Sequence, residues 1–64
     1  MTTFIILTHN DEPIIVNLSR IIMIMKDTDG LTYLRLTDGH GILVKESMEK
    51  IIQLLHEFKI SIQN

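Results

Sequence analysis

Residues 31–45 read LTYLRLTDGHGILVK, and this stretch decides the fold. From Leu31 to Thr37 the side chains separate by parity. Thr32, Leu34 and Leu36 fall on one face and Leu31, Tyr33, Arg35 and Thr37 on the other, which is the period of a β-strand. Asp38-Gly39 follows, a dipeptide suited to a type I′ hairpin turn with positive φ at both central residues. Ile42 to Lys45 then returns as the partner strand, after His40 and Gly41. A strand, a short turn and a second strand make an antiparallel pair.

Beyond Lys45 the period changes. Met48, Ile51, Ile52, Leu55 and Phe58 recur at spacings of three and four, with Leu54 widening the stripe, so a helix is expected. Ser47 is placed to cap its N-terminus, and Glu49 lies in the first turn, opposite the positive end of the helix dipole. Glu49, Lys50, Gln53, Glu57 and Lys59 make the polar face. Ile60 and Ile62 carry apolar content to the end of the sequence.

Before Leu31 the apolar residues come in continuous runs. Thr3 to Thr8 is expected as a first strand, and His9, Asn10, Asp11 and Glu12 form a turn by composition. Pro13 opens a second strand, Ile14 to Val16, at the position where a missing backbone donor is tolerated. Asn17 to Arg20 predicts a bend or single helical turn, since Asn and Ser side chains compete for backbone groups. Ile21 to Lys26 is a third strand, rich in Ile and Met, and Gly30 in Asp27-Thr28-Asp29-Gly30 suits a turn position at positive φ.

Those runs set an assembly question. A strand with one face in water alternates apolar with polar, whereas Ile5 to Leu7, Ile14 to Val16 and Ile21 to Met25 are apolar on both faces. The terminal helix covers one face of a sheet, so the second face calls for a partner. Ile5, Leu7, Ile14, Val16, Ile21, Met23 and Met25 are the expected oligomer interface.

Composition narrows the classes. The chain has 64 residues, no cysteine, three histidines, six Lys and Arg against eight Asp and Glu, and is 45% hydrophobic but 5% aromatic. It is expected to form a single domain over residues 1–64, of a size marginal without disulfides, metal or oligomerisation. Thiolate sites are excluded, and His9, His40 and His56 have no paired ligand spacing, so no metal or other cofactor is expected. The apolar runs fall far short of the ~20 residues that span a bilayer, and no basic leader precedes a long apolar stretch, so a cytoplasmic protein without membrane insertion is expected.

Few residues suggest chemistry. His40 beside Asp38 has the form of an acid–base pair but reads better as a polar hairpin tip. Asp27 and Asp29 lack the dense oxygen ligands of a calcium loop, and Gly39 and Gly41 lack the rest of a dinucleotide fingerprint. Tyr33 and Arg35, two apart on one strand face, can stack on a base or on a partner, with Lys26 and Lys45 adding charge. The formal net charge of −2 opposes strong nucleic-acid binding.

The pattern resembles the small FlbD-like bacterial family associated with flagella and swarming motility. The matching pieces are Ile6-Leu7-Thr8, Ile15-Val16-Asn17, Ile21, Leu36-Thr37-Asp38-Gly39, Val44-Lys45-Glu46-Ser47 and Ile51-Ile52. The chain departs from the family pattern at Asn10-Asp11-Glu12-Pro13, at Asp27-Thr28-Asp29-Gly30 and at His40-Gly41. The resemblance implies an interaction module with no catalytic residues and no reaction.

The expected fold class is therefore α+β, a small antiparallel sheet of four to five strands followed by one C-terminal helix packed on one face. The expected function is that of a non-enzymatic module that self-associates and binds other proteins, with motility as the context implied by resemblance. The alternative is a nucleic-acid-binding regulator of transcription or translation that uses Tyr33 and Arg35.

Overall fold

The computed structural model describes residues 3–58. Ile60 and Ile62 lie outside the described residues. Five strands and one helix follow in the expected order: β1 (Phe4–His9), β2 (Glu12–Asn17), β3 (Ile21–Lys26), β4 (Thr32–Leu36), β5 (Gly41–Val44) and α1 (Met48–Glu57). Single 3-10 turns at Leu18–Arg20 and Thr28–Gly30 flank β3. The α+β class holds.

The strands form two sheets where one was expected. β1 and β2 make an antiparallel hairpin, and β3, β4 and β5 make a three-stranded antiparallel sheet in that order. Between the two, β5 meets β1 at its end, where the Lys45 N–H donates to the Thr8 carbonyl at 2.8 Å. At the opposite end, the Thr37 N–H donates to the Arg20 carbonyl at 2.9 Å and ties the β4–β5 turn to the 3-10 segment after β2.

Turn chemistry accounts for the hairpins, with one correction. Asn10 and Asp11 have φ of 50° and 61° between the paired residues His9 and Glu12, giving the two positive φ values of a type I′ loop. Asp29 and Gly30 do the same, at 61° and 76°, and the Leu31 N–H closes the turn onto the Thr28 carbonyl. Asp38-Gly39 is not type I′, because Gly39 alone is at positive φ there, 91°. The Gly39 N–H bonds the Leu36 carbonyl and the Leu36 N–H bonds the His40 carbonyl, the pattern of a type I turn followed by a left-handed bulge residue.

One core joins both sheets and the helix. Ile5 and Leu7 of β1, Val16 of β2, Leu18, Leu34 of β4, Val44 of β5 and Ile51 of α1 are buried together. Ile14, Ile21, Ile24, Ile42, Leu54 and Leu55 pack around them. The Ser47 hydroxyl accepts the Lys50 N–H at 3.1 Å and starts α1 as expected. The helix meets the core through Ile51, Leu54 and Leu55, while Phe58, expected in the stripe, is 46% exposed.

Candidate functional site

The β1–β2 hairpin has two apolar faces, and only one is used within the chain. The register pairs Ile5 with Val16 and Leu7 with Ile14, and this set turns to the core. The other parity pairs Phe4 with Asn17, Ile6 with Ile15 and Thr8 with Pro13. Phe4 is 58% exposed, Ile6 69% and Ile15 72%. No charged side chain occupies these six positions. Isolated exposed aliphatics are ordinary, but three large ones on adjacent strand positions make a patch.

The residues of the expected interface lie in different places: Ile5, Leu7 and Val16 are buried in the chain's own core, and Ile14 and Ile21 are partly buried against it. Met23 and Met25 are exposed on β3, together with Ile22. Ile22 sits at an irregularity in the β3–β4 register, between the pairs Ile21–Leu36 and Met23–Arg35. Phe4, Ile6 and Ile15, outside the expected set, are the exposed residues of the hairpin. In a continuous apolar run parity does not say which set points inward, and the polar residues at its ends do not decide it either: Thr8 and Asn17 share the parity of the exposed set, His9 and Glu12 that of the buried one.

Tyr33 and Arg35 share an outer face with Met25 and Met23, their register partners on β3. The Tyr33 ring lies over Gly41 so closely that a Cβ there would overlap the ring and hydroxyl. Any side chain at position 41 would therefore require the half-buried Tyr33 ring to swing aside. Lys26 does not join this face. It pairs with Thr32, of opposite parity, and its ammonium lies 3.2 Å from the Glu49 carboxylate at the start of α1. Lys45 follows β5 and lines an open cleft with Thr8, His9, Asp11, Asp29 and Leu43. The four residues of the expected cationic contact are therefore not gathered on one surface.

Polar groups along that cleft serve the fold. The His9 Nδ1 donates to the Leu43 carbonyl at 2.6 Å, which assigns the proton to Nδ1 and leaves Nε2 facing the Asn10 amide at 3.3 Å. The Glu46 carboxylate accepts the Thr8 N–H at 2.8 Å and the Thr8 hydroxyl at 2.9 Å, while its carbonyl accepts the Thr32 hydroxyl at 2.7 Å. Burial alone would raise the Glu46 pKa; the Thr8 and local backbone donors and the nearby Lys45 charge outweigh it and hold the group below its ordinary value. The Asp38 carboxylate and His40 Nδ1, 2.8 Å apart at the exposed β4–β5 turn, stabilise each other's charge, so Asp38 is lowered and His40 raised. Among the described residues no group of three or more His, Cys, Asp or Glu side chains is placed to hold a metal ion. No described helix is long and apolar enough to cross a membrane.

The family model FlbD, described as flagellar and swarming motility proteins, matches residues 4–63. No curated protein and no solved structure matches the chain.

Proposed function

The chain belongs to the FlbD family of flagellar and swarming motility proteins, and from that premise we propose that it is a non-enzymatic accessory protein of bacterial motility that self-associates and acts through protein contacts. The apolar side chains on the outer face of the β1–β2 hairpin, Phe4, Ile6 and Ile15, carry this reading. Covering Phe4, Ile6 and Ile15 would remove three large apolar side chains from water, each worth roughly 1.5–3 kcal/mol when fully buried. The buried face of the same hairpin already holds the fold, so the exposed face is surplus to folding.

A contact role fits the polar groups as well. His9, Glu46 and Thr32 are committed to hydrogen bonds that join strands and loops. The nucleic-acid alternative draws no support from Lys26, which is engaged with Glu49.

The test is complementation. A strain lacking the gene is supplied with the wild-type chain or with Ile15→Lys, and spreading is scored on swimming and swarming agar. Wild type should restore spreading; Ile15→Lys, folded by circular dichroism, should not. Full restoration by the folded variant would refute the contact surface.

A further inference from the structure

We infer that the outer edge of β3 pairs with the same edge of a second copy, antiparallel about a two-fold axis at Met25, so that the two three-stranded sheets join into one. The inference rests on the proposed self-association and gives it a surface of its own, apart from the outer face of the β1–β2 hairpin.

Register shows which backbone groups reach that edge. The Leu36 N–H bonds the His40 carbonyl, so Thr32, Leu34 and Leu36 turn their backbone toward β5. Tyr33 and Arg35 then turn theirs toward β3, as Thr37 does in donating to the Arg20 carbonyl, and their register partners Met25 and Met23 turn back to β4. Ile24 and Lys26 are left with N–H and C=O directed outward. β3 has no strand on that side among the described residues. Such a row of donors and acceptors takes an extended backbone, since a helix or an apolar face would leave it unsatisfied.

The two sheets leave two outer edges, and one of them is blocked. β1 is tied to β5 by the Lys45 to Thr8 bond, so β2 and β3 are outermost. His9 and Glu12 close a two-residue loop as a hydrogen-bonded pair, so the outward backbone of β2 begins at Pro13, which has no N–H to offer. β3 contains no proline, and Lys26 is its one charge. Ile22, Met23 and Met25 are exposed along it.

A second copy completes this edge by symmetry. With the axis at Met25, Ile24 and Lys26 of each copy exchange hydrogen bonds with the partner's Lys26 and the partner's Ile24, and every outward N–H meets a C=O. Met25 meets the partner's Met25 as a non-bonded pair, the type in which side chains approach most closely, and both are apolar. The one charge of the strand falls beside the partner's Ile24. Its ammonium is already held by Glu49 of its own chain, 3.2 Å away. A parallel pairing in register would set the two lysines side by side, a like-charge contact.

Sedimentation velocity and amide hydrogen exchange of the full chain, each followed from micromolar to submillimolar concentration, test the inference. Wild type should pass from monomer to dimer. In the dimer the Ile24 and Lys26 amides should exchange at least about tenfold more slowly than in the monomer, while those of Met23 and Met25, bonded to β4 in both states, should change less. Lys26→Pro removes an outward N–H without breaking a β3–β4 bond and should raise the Kd by at least about tenfold; Lys26→Ala, which loses only the ion pair with Glu49, should leave it within about threefold. Met25→Lys sets two charges together at the axis and should also disperse the dimer, which decides the matter where Lys26→Pro does not fold. A wild type that stays monomeric, a dimer indifferent to folded Lys26→Pro or to Met25→Lys, or Ile24 and Lys26 amides equally protected at every concentration would each overturn the inference. The hairpin reading stands or falls separately: failure of folded Ile15→Lys to restore spreading upholds it even where β3 stays unpaired, and full restoration rejects it even where the β3 pair forms.

Discussion

At the scale of single residues, Glu46 and Gly41 do more than their neighbours. The Glu46 carboxylate binds the end of β1 through two Thr8 donors, and its lowered pKa makes that link pH-dependent. A carboxylate with a folded pKa below the unfolded value contributes stability that is fully present above the unfolded pKa, about 4.3 for Glu, and is lost as pH falls through the folded one. Denaturant midpoints measured from neutral to acid pH should accordingly fall below that value in wild type, with a shallower decline in Glu46→Gln. An unchanged acid limb would show that Glu46 is not the group responsible. Gly41 is constrained by the Tyr33 ring. Gly41→Val should push the half-buried ring aside and, since only the far end of that side chain has to move, change stability by no more than about 1 kcal/mol. The chain has one Tyr and no Trp, so tyrosine fluorescence reports that displacement directly. An unaltered spectrum and melt would mean the ring has another place to go.

At the scale of elements, α1 and the β1–β2 hairpin show how a pattern becomes a face. The helix was legible from its spacing and its cap. Ser47→Ala should cost about 1 kcal/mol and Ser47→Asp much less, because Asp also accepts the Lys50 N–H. Its inner edge was legible only in part. The apolar stripe runs from Met48 to Phe58, but the core receives Ile51, Leu54 and Leu55. Leu55→Asp should therefore abolish a cooperative melt, as a charge placed against the core has no partner there. Phe58→Asp should change stability by no more than about 0.5 kcal/mol. Equal effects of the two would contradict this packing. In the hairpins, composition located every turn but misassigned the type at Asp38-Gly39, because the three-residue loop closed by Leu36 and His40 leaves Asp38 at negative φ. The backbone bonds that fix loop length cannot be read from the dipeptide.

At the scale of the molecule, one hairpin divides its work between folding and surface. Leu7 and Ile6 are sequence neighbours of nearly equal hydrophobicity, yet Leu7 is fully buried and Ile6 is 69% exposed. Leu7→Ala should destabilise by about 2–5 kcal/mol, enough to unfold much of a domain this small. Ile6→Ala should leave the thermal melt near wild type and weaken association instead. Comparable melts for the two would erase the distinction between faces. The sequence by itself determined the order and kind of the elements, the α+β class, the cap of the helix and the surplus of apolar side chains, because period, turn residues and composition are local properties. Tertiary structure alone decided which parity of each apolar run turns inward, that the strands split into two sheets, and that Lys26 leaves Tyr33 and Arg35 to meet Glu49. The physical reason is register: in a run apolar at every position, both faces have nearly the same transfer free energy. The choice between them then falls to what packs across from them.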